Sequence, residues 1–180
     1  MVKKRNLIKV LVLLSVLFLG MLPKAFVKAS GEGTFGGGSG TVTDPYIIST
    51  AAHMIELSDR VNGVGYTAQS FSGVYFKVTT QSFNLNGDTF NAIGNNVTPF
   101  SGIFDGNGAN FKLTINKNKV NYQGLFGYAS GATIKNLSVS GSIIGGNYIG
   151  GIAGAAASTT FSNVYNTARV EGSQYVGGIV

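Results

Sequence analysis

The chain has 180 residues, 44% of them hydrophobic, a formal net charge of +6 and no cysteine. The lack of cysteine excludes a disulfide framework, a thiolate metal site and a thiol nucleophile. The charge does not point to nucleic acid, because six of the thirteen basic residues (Lys3, Lys4, Arg5, Lys9, Lys24 and Lys28) lie in the first 30 positions, and from Ser30 onward seven basic residues balance seven acidic ones.

The first segment is basic, then strongly apolar (LIKVLVLLSVLFLGML), then reaches Pro23, with Val27 and Ala29 spaced as a small-residue cleavage site. This pattern predicts a signal peptide over 1–29, cut before Ser30, and hence a secreted or cell-surface protein. No second apolar run follows, so no transmembrane span is expected after cleavage. Residues 30–43, SGEGTFGGGSGTVT, are rich in glycine and read as a flexible lead-in segment. The GGGSG within it lacks the lysine and following helix of a phosphate loop.

One folded domain is expected over 44–180. A short extended piece at Asp44 to Ile48 precedes the one convincing helix, 49–62, which Ser49 or Thr50 can cap at its start and Gly63 can end in a left-handed conformation. Ala51, Met54, Leu57 and Val61 fall on one face, and the strands that follow are the surface for that face. From Gly73 onward the pattern is short strands: Val74, Phe76 and Val78 alternate, as do Phe83 and Leu85, then Phe111, Leu113 and Ile115, with Asp105 to Gly108 (DGNG) read as a turn between strands.

From about residue 122 the skeleton repeats. Gly124, Leu125 and Gly127 return as Gly151, Ile152 and Gly154, Asn136 returns as Asn163, and Tyr148, Gly150 and Gly151 return as Tyr175, Gly177 and Gly178, each 27 residues on. A fixed period of that size marks a solenoid. Only five leucines follow the leader, which argues against a leucine-rich repeat. The glycine corners suit an all-β coil of parallel strands, capped at its N-terminal end by the helix, in which Asn136 and Asn163 stack as an amide ladder.

GLFGYASGATIKNLSVSG, YIGGIAG and YVGGIV are similar to the repeats of the GLUG-motif family of bacterial secreted and cell-surface proteins, and GSGTVTDPYIISTAAHMIELSDRVN with PFSGIFDGNGANFKLTI resembles the segment that often precedes them. The resemblance implies a right-handed parallel β-helix found in adhesin-like proteins and in non-catalytic regions of IgA-specific metallo-endopeptidases, and it implies no known active site. QSFNLNG stands where such proteins often carry a more acidic strand, and the sequence stops at Val180 inside a third repeat. A repeat array needs a terminal cap, so a longer native chain is expected, or self-association through the exposed C-terminal coil.

Candidate chemistry is sparse. His53 lies on the helix away from any acidic cluster, and no metal site can be built around it. Asn84, Asn86 and Asp88 imitate the start of a calcium loop, but the glycine is misplaced and no acid stands at the twelfth position. Asp105 suits a turn better than a catalytic pair, for which Asp88 is the nearest other acid. No cofactor is expected.

Tyr148 and Tyr175, one period apart, with Tyr165 and Tyr122 nearby, are the candidate binding residues: either a row offered to a glycan or extracellular protein, or a ladder packing coil on coil. The expected function is therefore a non-enzymatic exported surface module for adhesion or ligand binding. A polysaccharide lyase or hydrolase of β-helix type, or the spacer of a larger surface protease, are the alternatives.

Overall fold

A computed structural model describes residues 35–180. The signal peptide expected over 1–29 and the start of the lead-in segment lie outside the described residues. The expected flexible lead-in is packed where it is described. Phe35 is buried against Tyr46, Phe71 and Phe76, Gly36 N–H donates to Ile47 O at 2.7 Å, and Ile47 N–H donates to Gly37 O at 3.0 Å. One aromatic anchor and a pair of backbone bonds outweigh the entropy that the surrounding glycines would otherwise keep.

The first strand, β1 (Tyr46–Ile48), leads into helix α1 (Ala51–Asn62). Thr50 caps the helix, its Oγ1 accepting His53 N–H at 3.2 Å, and Gly63 closes it in the left-handed region at φ 76°, its N–H donating to Asp59 O. His53 Nδ1 accepts the N–H of Ser49 at 3.2 Å, so this histidine ties the helix start to the residue before the cap. Met54, Leu57 and Val61 are fully buried, and between them Ser58 Oγ donates to Asn91 O at 2.7 Å. The apolar stripe thus joins the helix to the hydrophobic core while a polar pin fixes its rotation.

All the strands that follow pair in parallel. They are β2 (Tyr75–Val78), β3 (Ser82–Asn86), β4 (Ile103–Asn116), β5 (Phe126–Ser130), β6 (Thr133–Ile144), β7 (Asn147–Gly150), β8 (Ala153–Ala157), β9 (Thr160–Asn166), β10 (Arg169–Glu171) and β11 (Gln174–Gly177). The largest sheet has the order β1-β2-β4-β6-β10, with β3 also on β4 and β9 also on β6, while β5–β8 and β7–β11 form two smaller parallel sheets. Stacked in this way, the strands make a β-solenoid of about five turns.

Register shows what each turn shares. Tyr46, Phe76, Phe104, Ile134 and Phe161 lie one above another, as do Phe83, Phe111 and Val139. These columns point inward, and the rings of Phe83 and Phe111 stack at 4.8 Å and 2°. Burying a side chain of this size contributes about 1.5–3 kcal/mol, which is how a chain without disulfides holds its coils together.

The expected turn at Asp105 to Gly108 does not separate two strands. It is a bulge inside β4, where Asp105 pairs with Lys135 but Ala109 pairs with Leu137. Asn107 N–H donates to Asp105 Oδ1 at 2.9 Å, so the side chain closes a local turn while the ladder continues on both sides.

Candidate functional site

The 27-residue pattern builds two corners with different chemistry. At one, Asn136 and Asn163 have φ of 56° and 52°. Asparagine tolerates this left-handed backbone, and the amides then join between coils, Asn163 Nδ2 donating to Asn136 Oδ1 at 3.1 Å and Asn136 Nδ2 donating to Asp105 Oδ1 at 3.0 Å. Asp105 heads this ladder and forms an ion pair with Lys135 at 3.3 Å. Burial alone would raise its carboxyl pKa, but the hydrogen bonds from Asn136 and the Asn107 amide, with Lys135 beside it, hold it below its ordinary value. The candidate acid is thus held by three neighbours, Asn107, Asn136 and Lys135.

The other corner carries the tyrosines. Tyr122, Tyr148 and Tyr175 have φ of 57°, 62° and 54°. Tyrosine is not a residue that this conformation selects, and each occurrence costs about 1–2 kcal/mol. The rings stack in a row, Tyr122 to Tyr148 at 4.9 Å and 4°, Tyr148 to Tyr175 at 4.7 Å and 8°. Each such pair returns about 0.5–1.5 kcal/mol, so stacking offsets a good part of the strain.

The glycines around the tyrosines follow from this corner. A Cβ on Gly154 would come within 2.5 Å of Tyr148 O, and one on Gly150 would collide with Ala153 O. The backbone passes close against the carbonyls of Tyr122 at Gly127 and of Tyr148 at Gly154, where only glycine leaves room.

Stacking decides what the row can offer. Both faces of Tyr148 are covered by its neighbours, so a ligand meets ring edges and hydroxyls there, whereas Tyr175 is 66% exposed. Among the described residues none of the three hydroxyls has a hydrogen-bond partner within the chain. Tyr148 and Tyr175 form one wall of a shallow cleft of about 330 Å³ floored by Gly154, Ala155 and Ala156. At the opposite end of the row, Tyr122 borders a second cleft of about 400 Å³.

Of the residues singled out from the sequence, Tyr148 and Tyr175 are brought together and Tyr122 joins them. Tyr165 stands apart on β9, paired in register with Ser138, its hydroxyl donating to Asn163 Oδ1 at 2.9 Å. It belongs to the asparagine corner. No group of three or more His, Cys, Asp or Glu side chains converges among the described residues.

Fold and surface together define a parallel β-solenoid with an outward aromatic row. No family model matches the chain, and no solved structure matches it. The chain is 34% identical over 122 residues to a protein of Evansella cellulosilytica named "Putative Gly-rich membrane protein". That match covers 66% of this chain and 13% of the relative, so the chain spans a small part of the protein it resembles. Among the described residues no helix is long and apolar enough to cross a membrane. The fold and the relative are compatible with a surface module.

Proposed function

We propose that the chain is a non-enzymatic, exported surface module that binds an extended glycan or matrix protein along its tyrosine row. The observation that carries this reading is the row itself: three bulky side chains held in a costly backbone conformation and stacked ring on ring, two of them, Tyr148 and Tyr175, lining a cleft with Ala155 and Ala156. Backbone strain of this kind gathers at functional sites, and tyrosine combines a flat apolar body with a polar tip. The relative's name supports placement at the cell surface. Membership of the GLUG-motif family is part of the same proposal, supported by the recurrence of the glycine and tyrosine corner.

The β-helix lyase or hydrolase reading is less favoured, because Asp105 is engaged by Asn136, Asn107 and Lys135. An array of extended glycans and matrix proteins probed with the purified chain tests the proposal: saturable capture is expected, and failure to bind any member counts against it.

A further inference from the structure

The second cleft lies where three segments distant in sequence meet: the end of α1 with Val64, the loop 91–96, and the loop 117–123. Lys117 occupies its wall. The ammonium donates to Asn91 Oδ1 at 2.7 Å and to Phe90 O at 3.3 Å, both neutral partners. Among the described residues it forms no ion pair, and no carboxylate lines the cleft, although Asp88 lies near enough for its charge to act on Lys117. Burial holds the Lys117 pKa below its ordinary value, with Asp88 opposing that shift. A partly desolvated cation with neutral partners favours an incoming anion.

The amides around it are unevenly used. Asn91 and Asn121 accept through Oδ1, from Lys117 and from Asn147 N–H, and their Nδ2 groups donate to nothing among the described residues. The Asn96 side chain makes no hydrogen bond among the described residues. Gln123, 5% exposed, spends its Nε2 on the carbonyls of Asn121 and Tyr122, both at 3.0 Å, and its buried Oε1 has no partner among the described residues. Unmet donors therefore stand beside an unmet and exposed acceptor, Asn96 Oδ1, with exposed Val64 and Val120 at the rim. A simple anion would use the donors alone, whereas hydroxyls of a sugar both donate and accept and its C–H faces lie on apolar rims.

We propose that this cleft is a binding site for an acidic saccharide, its carboxylate seated on Lys117 and its hydroxyls on Asn91, Asn96 and Asn121. The site goes beyond the tyrosine-row reading and stands on different side chains, sharing only Tyr122 at its border.

Titration calorimetry on the full chain tests it, with trigalacturonate and a hyaluronan tetrasaccharide as acidic probes and fully methyl-esterified trigalacturonate as the neutral control. At least one acidic probe is expected to bind, and where that is trigalacturonate its ester binds about tenfold or more weakly. Lys117→Met lowers the affinity about 10- to 100-fold, the range for a lost charged hydrogen bond. Asn96→Asp, at an exposed side chain without partners among the described residues, weakens binding by repulsion and leaves the thermal transition in place. Tyr175→Asn leaves acidic-saccharide binding unchanged, which separates this site from the row. The proposal is overturned if neither acidic probe binds, if the ester binds as well as the acid, or if Lys117→Met and Asn96→Asp both bind like the native chain.

Discussion

The Tyr148 ring lies parallel to that of Tyr175, with centroids 4.7 Å apart and 8° between planes, and both residues have positive φ. Stacking and strain therefore act on the same side chain with opposite sign, and substitution can separate them. Tyr148→Ala removes two stacks and keeps the strained backbone, so a loss of about 1–3 kcal/mol is expected from two pairs of ordinary strength. Tyr148→Asn removes the same stacks but relieves strain, and is expected to be about 1 kcal/mol more stable than the alanine variant. Urea denaturation of the two variants checks the order, and equal stability would show that the left-handed corner is not strained.

Asp105 should make stability depend on pH. Its folded pKa is depressed, so its contribution is fully present above the ordinary value of 3.8 and is lost as pH falls through the lower folded value. Asp105→Asn is expected to melt below the native chain near pH 6, with a narrower gap at pH 3, below the ordinary value of 3.8. Thermal unfolding at both values reads this directly, and a constant gap would rule out the carboxylate as its source.

Ser58 joins the cap helix to the loop that builds the second cleft, donating to Asn91 O at 2.7 Å and accepting from Asn62 Nδ2 at 3.2 Å. Ser58→Ala removes the bond to the Asn91 carbonyl and one of the two bonds of the Asn62 amide, which still donates to Ala92 O, for an expected cost of about 1–3 kcal/mol. Hydrogen exchange should show the 91–96 loop opening more readily while β6 keeps its protection.

Gly154→Ala forces a methyl against Tyr148 O. The backbone must shift, at about 1–3 kcal/mol, and the ring of Tyr148 moves with it. Reduced stability and reduced ligand capture are expected together, and loss of one without the other would uncouple the glycine from the row.

The solenoid was legible from residue 122 onward because there the coils keep one length: Thr133 pairs with Thr160 and Asn147 with Gln174, both at the 27-residue offset. Upstream, Tyr46 pairs with Phe76 across a coil that contains the helix, and Tyr75 pairs with Ile103, so spacing changes from turn to turn and no repeat is visible in the letters. The helix and its caps were readable because their signals are local. The bulge at Asp105 was not, since a DGNG sequence makes the same Asx turn whether the strand ends or continues. Phe35 as an anchor was hidden by the glycines around it, and the cleft at Lys117 by the distance in sequence between Asn62, Asn91 and Asn121. Tyr148 and Tyr175 could be paired by period, but the covered faces of the row follow from the αL corner, which spacing does not reveal.

The most direct test of the central claim is solid-phase binding of the chain to the array ligand it captures, compared with a Tyr122, Tyr148 and Tyr175 to Asn triple variant. Asparagine keeps the left-handed corners, so the fold should persist, as circular dichroism and the thermal transition will show. The account predicts that the folded triple variant loses capture. A folded triple variant that binds like the native chain would contradict it and leave the tyrosines as an internal ladder alone.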